Sequence, residues 1–255
     1  MEHSVVCNGI TVHYRDESAG PPIVLLHGGL MEGTSGWGAH LPALADGYRV
    51  LVPDSRGHGR SDNPTGQLTY ELMADDVAAF VAALDVERPL VVGYSDGGIT
   101  ALQLGLRHRG VAGGLVLGGM VVEADDAYWR FLAQLGASEA GFDEEVLGRF
   151  APEFHGWVSG LHGDRWPTLL QETARLWHAV PTVSDEQLAG VDVPTVVLSG
   201  DRDDSSTSQA RRIAAALPRG ELAVIPGADH GGAMMSPLLA AVVRDAAHRF
   251  GAPTA

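Results

Sequence analysis

The chain contains no lysine, since all 17 of its positively charged residues are arginine. This absence excludes chemistry that needs a lysine amine, namely Schiff-base formation, pyridoxal phosphate attachment and phosphate binding by a P-loop. The chain also has a single cysteine, Cys7. One cysteine cannot form an internal disulfide, which is typical of proteins from reducing compartments.

Long apolar runs and clustered positive charge are missing as well. No apolar run approaches 18 residues, and no basic stretch near the start precedes an apolar segment, so we expect no membrane partner and a cytoplasmic location. The net charge of −15 argues against a nucleic-acid partner. The 11 histidines show neither a His-Glu-x-x-His motif nor paired Cys/His spacing, so we expect no metal and no cofactor. A small-molecule substrate is the expected partner, and the sequence leaves the oligomeric state open.

Short apolar runs alternate with amphipathic segments along the 255 residues, of which 45% are hydrophobic. Two runs flank the Asn8-Gly9 pair, which favours a β-hairpin. Six further runs have the continuous apolar character of strands covered on both faces: residues 23–26, 50–52, 90–92, 115–117, 195–198 and 222–225. Helical periodicity appears in four segments: 70–84, with Thr69 as N-cap, 96–106, 208–217 and 238–250. The alternation predicts an α/β fold with an eight-stranded, mostly parallel sheet and helices on both faces.

Residues 121–188 interrupt this alternation and hold nine of the 16 aromatic residues of the chain. We interpret this stretch as a helical insertion, with residues 1–120 and 189–255 forming the core domain. The aromatic side chains then either build a small core of the insertion's own or line an apolar substrate cavity beneath a cap. Both interpretations can hold together.

Chemistry-bearing residues follow four of the predicted strands, where open parallel sheets place their binding sites. The four segments are 27–30 (HGGL), 93–97 (GYSDG), 200–204 (GDRDD) and 226–232 (PGADHGG). A serine on a sharp turn between strand and helix is one way in which hydrolases expose a nucleophile. The pentapeptide around Ser95 is weak evidence by itself in a glycine-rich chain. Its context adds an acid and a histidine at later strand ends, in the order Ser, Asp, His.

With these four motifs the chain resembles the α/β-hydrolase superfamily over nearly its whole length. The resemblance implies the α/β-hydrolase fold, with a helical cap between the sixth and seventh strands. It also implies a triad in which Ser95 attacks, His230 takes and returns the proton, and Asp203 fixes the imidazole tautomer. The backbone N–H groups of Gly29 and Asp96 are implied as the oxyanion hole.

Other acidic residues and histidines lie near these motifs. The superfamily's Gly-x-x-Asp spacing selects Asp203 over Asp201 and Asp204. A minority of members carry the acid after the sixth strand instead, where this chain has Glu123. His27 and His58 lie in turns of the superfamily pattern, where a histidine usually packs and takes no part in the reaction.

Asp96 occupies the position after the nucleophile, where superfamily members commonly carry an apolar residue, Gln or Met. Its carboxylate could simply lie at a helix N-terminus, where the dipole stabilises it by about 0.3–1 kcal/mol. Alternatively, it recognises a cationic group beside the scissile bond, because the run from Gly93 to Ala101 resembles the elbow of valacyclovirase-type α-amino-acid ester hydrolases. The candidate substrate contacts are Asp96, Leu30, Trp129 and Trp157.

A serine at the nucleophile position argues against dehalogenase and epoxide hydrolase chemistry, since those members of the superfamily use an aspartate there. The sequence therefore predicts a serine hydrolase that cleaves a carboxylic ester, thioester or lactone of a small to medium, partly apolar substrate through an acyl-enzyme. One alternative is acyl transfer or perhydrolysis on the same triad, and another is a non-catalytic ligand-binding protein with the same fold.

Overall fold

Eight strands form one sheet in the computed structural model, which describes residues 1–250. In chain order they are β1 (Glu2–Cys7), β2 (Ile10–Glu17), β3 (Pro22–Leu26), β4 (Arg49–Pro53), β5 (Leu90–Tyr94), β6 (Gly114–Gly118), β9 (Thr195–Gly200) and β10 (Gly220–Ile225); a separate hairpin joins β7 (Ala137–Ser138) to β8 (Gly141–Phe142). The order across the sheet is β1-β2-β4-β3-β5-β6-β9-β10. Only the β1–β2 and β2–β4 pairs are antiparallel. The predicted eight-stranded, mostly parallel sheet is therefore confirmed.

Helices cover both faces of this sheet. They are α1 (Gly33–Trp37), α2 (Leu41–Leu44), α3 (Tyr70–Ala83), α4 (Asp96–Arg107), α5 (Asp126–Gln134), α6 (Glu144–Phe150), α7 (Pro152–His162), α8 (Trp166–His178), α9 (Asp185–Leu188), α10 (Thr207–Ala216), α11 (His230–Met235) and α12 (Pro237–Phe250). The Thr69 hydroxyl accepts a hydrogen bond from the Leu72 N–H at 3.1 Å, which confirms the predicted N-cap of α3. The two short helices α1 and α2 were not predicted.

Alternate residues of the central strands pack into two hydrophobic clusters, one on each face of the sheet. In β3, Val24 and Leu26 join one cluster, whereas Ile23 and Leu25 join the other. This alternation explains why the strands read as continuous apolar runs, because both faces of a covered sheet exclude water. The parallel strands therefore direct their carboxyl ends toward one common edge.

The β10 strand differs from its prediction in burial. The strand forms where expected, but Leu222 and Val224 are 37% and 40% exposed, respectively. Its position at the end of the sheet, paired with β9 alone, explains this exposure. A short apolar run therefore did not distinguish an edge strand from a buried one.

The range 121–188 contains helices α5 to α9 and the β7–β8 hairpin, and it lies between β6 and β9 of the sheet. Its buried side chains, such as Leu132, Trp166 and Leu169, belong to the same hydrophobic cluster as Leu26 and Leu117 of the sheet. The expectation of a small separate core for this insertion is therefore wrong. The insertion is packed as an extension of one face of the sheet.

The division into a core domain and an insertion stays a prediction, and residues 251–255 of the predicted core range lie outside the described residues. Within residues 1–250, none of the helices is long and apolar enough to cross a bilayer.

Candidate active site

Ser95 lies on a strained turn between β5 and α4. Its backbone adopts φ 56° and ψ −120°, a conformation that residues with a side chain rarely adopt. The turn is tight because a side chain at Gly93 would overlap the Gly97 carbonyl, and one at Gly97 would overlap the Leu26 carbonyl. The Ser95 N–H donates to the Gly118 carbonyl of β6 at 2.8 Å. The sequence thus forces the serine out of the strand at the carboxyl edge of the sheet.

Asp203 and His230 come together from the ends of β9 and β10. The His230 Nδ1 atom lies 2.8 Å from Asp203 Oδ2, which orients the ring and leaves Nε2 available. The Tyr94 hydroxyl donates to the His230 carbonyl at 2.6 Å and holds the backbone of this residue. The sequence prediction that Asp203 and His230 are neighbours agrees with this geometry.

Glu123, the alternative acid, lies elsewhere. Its carboxylate accepts a hydrogen bond from Arg212 Nη1 at 2.9 Å and is 43% exposed. The structure therefore gives His230 the carboxylate of Asp203 as its partner.

The Asp203 carboxylate is buried and saturated with hydrogen bonds. Burial by itself raises the pKa of a carboxyl group, but the hydrogen bond from His230 and those from Ser205 and Ser206 outweigh it and lower the pKa of Asp203 to about 2. The Ser205 and Ser206 hydroxyls donate at 2.6 and 2.7 Å. The group is built to remain ionised at neutral pH.

Residues 27–31, which we call the glycine loop, follow β3 and run beside Ser95. The Cβ of a side chain at Gly28 would lie 3.3 Å from Ser95 Cβ. At Gly29, a side chain would overlap the Asp96 carboxylate and lie 3.0 Å from the Trp177 ring. Glycine is therefore required here because the loop approaches Ser95 and Asp96 so closely.

Asp96 is buried, and both of its carboxylate oxygens accept hydrogen bonds. The Tyr70 hydroxyl donates to Oδ1 at 2.9 Å, and the indole N–H of Trp177 donates to Oδ2 at 2.8 Å. Burial raises the pKa of Asp96, although these two hydrogen bonds act in the opposite direction. Asp96 therefore connects the turn at Ser95 to α3 and to α8 of the insertion.

A cavity of about 260 Å³ opens above Ser95. Its walls include Ser95, His230, Asp96, Gly28 and Gly29 from the sheet side. The insertion contributes a second set of wall residues with aromatic and aliphatic side chains: Tyr128, Phe131, Leu132, Leu135, Phe154, Trp157 and Trp177. A concave, mostly apolar space with a few convergent polar groups is the usual form of a small-molecule site.

Two predicted substrate contacts are corrected by the structure. Leu30 is 1% exposed and packs in the hydrophobic cluster below the sheet's edge, so its side chain does not line the cavity. Trp129 is 40% exposed and packs against Tyr128 and His178, away from the cavity wall. The helical face of α5 that carries Phe131 and Leu132 is the one that faces the site. Trp157 does line the cavity, as predicted.

Sequence reasoning missed Trp177 and Tyr70 as partners of Asp96, and Phe131 as a wall residue beside His230. The Phe131 ring lies 5.7 Å from the His230 ring. For Trp177 and Phe131 the available signal was the excess of aromatic residues in the insertion, which does not tell which helix face they occupy. Tyr70 lies outside the insertion, in α3.

Across the part of the chain that the structure describes, no group of three or more His, Cys, Asp or Glu side chains is arranged to hold a metal ion.

Comparison with known proteins gives relatives that span most of the chain. A Synechocystis protein, named provisionally as a non-heme chloroperoxidase, is 29% identical over 253 residues, which cover 87% of this chain and 88% of that protein. A structure described as a thermophilic esterase from Thermogutta terrifontis is 26% identical and superposes with a TM-score of 0.79, covering 99% of this chain and all of the other. An enol-lactonase from Burkholderia xenovorans LB400 shares the fold at 23% identity and a TM-score of 0.74, with 97% and 99% coverage.

The model of the family described as "Alpha/beta hydrolase family" matches residues 23–244. This range includes the turn at Ser95, the Asp203–His230 pair and the glycine loop. The sheet order, the turn at Ser95 and this match lead to one conclusion: the chain belongs to the alpha/beta hydrolase family.

Proposed function

We propose that the protein is a serine hydrolase that cleaves carboxylic esters, thioesters or lactones through an acyl-enzyme on Ser95. The observation that carries this proposal is the Asp203–His230 hydrogen bond of 2.8 Å beside a strained serine, with Ser95 and His230 both on the wall of one apolar cavity. The similarity to a known esterase over the whole chain also supports it.

The roles follow from the chemistry of each group. A serine hydroxyl is a weak nucleophile, so His230 Nε2 takes its proton as Ser95 attacks the carbonyl carbon. The ionised Asp203 carboxylate stabilises the imidazolium that forms. His230 then gives the proton to the leaving alcohol, and water releases the acyl group by the same steps in reverse order.

The oxyanion of the tetrahedral intermediate needs donors that are free in the resting enzyme. Among the described residues, no protein acceptor takes the Gly29 N–H. The Asp96 N–H is the first of α4, so no carbonyl of its own helix is available to it. We assign both groups to the oxyanion hole, where each donor contributes roughly 10²–10³ in rate.

The cavity favours an uncharged acyl group. Within the described residues its walls contain no arginine, and Asp96 is their one acidic residue. A substrate carboxylate would enter without a counterion and near a like charge, which is unfavourable in an apolar space. A small to medium acyl chain without charge fits the aromatic walls supplied by the insertion, which then acts as a cap.

The resemblance of the run from Gly93 to Ala101 to valacyclovirase-type enzymes raises the question of whether Asp96 recognises a cationic group. Both of its oxygens are already engaged by Tyr70 and Trp177, which supports a positioning function. Its negative charge nevertheless favours a cationic group over an anionic one nearby. If Asp96→Asn leaves the ratio of rates on amino-acid esters and neutral esters unchanged, recognition of a cation by Asp96 is refuted.

A second candidate activity is perhydrolysis, in which hydrogen peroxide replaces water at the acyl-enzyme. The relative named as a non-heme chloroperoxidase favours it. Measuring peracid formation from an ester and hydrogen peroxide tests this activity on the same protein.

The cytoplasmic location remains a prediction from the sequence.

Labelling with a fluorophosphonate probe tests the proposal. We expect the wild type to be labelled at Ser95 and to hydrolyse esters from a library of p-nitrophenyl acyl chains. Ser95→Ala should lose the label and nearly all turnover, whereas Ser138→Ala, an exposed serine of the β7–β8 hairpin, should keep both. An unlabelled, inactive wild type would favour the ligand-binding alternative.

A further inference from the structure

Two imidazole rings hold the glycine loop from opposite parts of the chain. The first is His27, which is buried with 1% exposure at the end of β3. Its Nδ1 lies 2.8 Å from the Gly28 carbonyl oxygen, and the Ser55 N–H donates to its Nε2 at 2.9 Å. A carbonyl oxygen only accepts, so Nδ1 must carry the hydrogen and Nε2 must be bare. The ring is therefore neutral and its tautomer is fixed.

The Gly28 carbonyl belongs to the same peptide unit as the Gly29 N–H. The peptide is planar and trans, so its C=O and N–H groups point in opposite directions. With the carbonyl turned toward His27, the N–H is turned away from His27. Gly28 and Gly29 both line the cavity beside Ser95. The His27 hydrogen bond thus sets the direction of the donor that we assign to the oxyanion hole.

The second ring is His162, the last residue of α7 in the insertion. Its Nε2 lies 2.9 Å from the Leu30 carbonyl oxygen, and the Gly59 N–H donates to its Nδ1 at 3.3 Å. This pattern again requires a neutral ring with the hydrogen on Nε2. Burial lowers the pKa of His162, which favours that neutral form.

Leu30 needs this support because of its backbone. Its φ angle is +62°, in the left-handed region that leucine rarely adopts. This backbone conformation is unfavourable for leucine, so contacts with the surrounding residues must stabilise it. One of these contacts is the hydrogen bond from His162 to the Leu30 carbonyl. The insertion therefore acts on the glycine loop directly, as well as lining the cavity.

We propose that His162 is a positioning residue through which the insertion holds the glycine loop, and with it the Gly29 N–H of the oxyanion hole, so that the insertion is part of the machinery that stabilises the transition state. The proposal rests on the proposed function, because it assigns Gly29 the role of oxyanion donor. Neither ring touches the reacting atoms; both act through backbone carbonyls of the glycine loop.

His162→Phe is the decisive variant, because it removes both ring nitrogens and keeps a flat ring to stack on Trp166. In the wild type these two rings lie 6.1 Å apart at an angle of 7°. His155→Phe is the matched control, since His155 lies on the same helix and packs on the same Trp166 ring at 5.8 Å. His162→Gln restores a side-chain donor near the Leu30 carbonyl and serves as the conservative variant.

The readouts are kcat and KM on a p-nitrophenyl ester and the affinity for a trifluoromethyl ketone, which forms an oxyanion on Ser95. We expect His162→Phe to lose about 10- to 100-fold in kcat, with an equal loss in inhibitor affinity and little change in KM, because a donor displaced by about 1 Å loses most of its effect. His162→Gln should recover a large part of both, and His155→Phe should keep both. Thermal unfolding of each variant checks that it is folded.

Three results would overturn the proposal. These are wild-type kcat and inhibitor affinity in folded His162→Phe, equal losses in His155→Phe, or a rise in KM alone. If His162→Phe does not fold, His162→Gln and His162→Leu replace it in the test. The Gln side chain can donate to the Leu30 carbonyl and the Leu side chain cannot, so their kcat values and inhibitor affinities give the same comparison. Failure of the proposed function looks different, because then the wild type itself neither hydrolyses esters nor reacts with a fluorophosphonate.

Discussion

Asp203 and Asp96 are both buried carboxylates of the candidate site, yet their surroundings shift their pKa values in opposite directions. Burial raises the pKa of each group. At Asp203 the hydrogen bonds from His230, Ser205 and Ser206 outweigh burial and bring the pKa down to about 2. At Asp96 the donors are the neutral Trp177 and Tyr70, and the pKa stays raised.

The difference shows how one fold gives two carboxylates two functions. Asp203 lies beside the His230 ring, which gains a positive charge in the reaction that we propose, so the negative charge of Asp203 then has a partner. Asp96 has no cationic partner among the described residues and joins the nucleophile turn to the insertion through two neutral donors. Perturbed pKa values thus mark both residues, but of the two it is Asp203 that pairs with a histidine, the group to which we assign the proton transfer.

The largest difference between the two carboxylates should appear in turnover. We expect Asp203→Asn to lower kcat by about 10³–10⁴-fold, because the amide no longer holds the right tautomer of His230 or stabilises its charged form. Asp96→Asn keeps an acceptor and should lower kcat by less than about 10-fold. Steady-state kinetics on one p-nitrophenyl ester measures both.

Glu123→Ala is the control for this comparison, because Glu123 is the alternative acid and pairs with Arg212. It should retain near-normal activity. Strong loss in Glu123→Ala together with normal rates in Asp203→Ala would show that the acid has been assigned to the wrong strand end.

The charge of the acyl group should have the next largest effect. We expect p-nitrophenyl hexanoate to exceed mono-p-nitrophenyl adipate by about 100-fold in kcat/KM, because the adipate carboxylate would lose its hydration in an apolar cavity without a counterion and would also lie near the negative charge of Asp96. Asp96→Asn should narrow this ratio by about 10-fold. The ratio is taken within each variant, so general damage to the enzyme cancels. Equal rates on the two esters would contradict the proposed preference for uncharged acyl groups.

Acid should separate the two carboxylates by stability. The pKa of Asp203 is about 2 in the folded state, below the ordinary value of 3.8, so its contribution to stability is present above pH 4 and is lost as the pH falls toward 2. The advantage of the wild type over Asp203→Asn should therefore shrink by about 2 kcal/mol between pH 5 and pH 2.

Asp96 should show the opposite sign. Burial raises the pKa of Asp96 in the folded state, so the unfolded state ionises first as the pH rises above the ordinary value of 3.8. The stability of the wild type relative to Asp96→Asn should therefore fall as the pH rises from 3.8 toward the raised pKa. Urea unfolding at a series of pH values measures both differences. If the stability of the wild type relative to each Asn variant changes in the same direction with pH, the proposed contrast between Asp203 and Asp96 is contradicted.

The smallest expected effect distinguishes two tryptophans of the insertion. Trp157 lines the cavity and Trp129 does not. Trp157→Ala should raise KM for a hexanoate ester several-fold by removing apolar contact, whereas Trp129→Ala should change it by less than two-fold. Equal changes in KM for Trp157→Ala and Trp129→Ala would contradict the claim that only Trp157 of these two contacts the substrate.

Much of the fold followed from the sequence because its signals are local. Apolar runs marked the strands, and the glycines around Ser95 marked the turn, since backbone crowding there forbids side chains. The positions of Ser95, Asp203 and His230 at strand ends then followed from the topology of a parallel sheet. None of these inferences needed the packing of distant segments.

The remaining features depend on packing that no local pattern encodes. The sequence shows that Trp129 and Trp157 are aromatic, but which helix face meets the sheet is decided by the neighbouring helices. His27 and His162 act on backbone carbonyls of the glycine loop, so their side-chain identity alone carries no sign of that contact. Leu30 was predicted as a substrate contact, yet its side chain is buried in the hydrophobic cluster.

The most direct test of the central claim is to trap the acyl-enzyme. The wild type is mixed with a p-nitrophenyl ester, quenched with acid within the first turnovers and analysed by peptide mass spectrometry. We predict one acyl group on Ser95, formed with the first release of p-nitrophenol and absent from Ser95→Ala. Continued ester hydrolysis in Ser95→Ala, or turnover in the wild type with no acyl group on Ser95, would contradict the account.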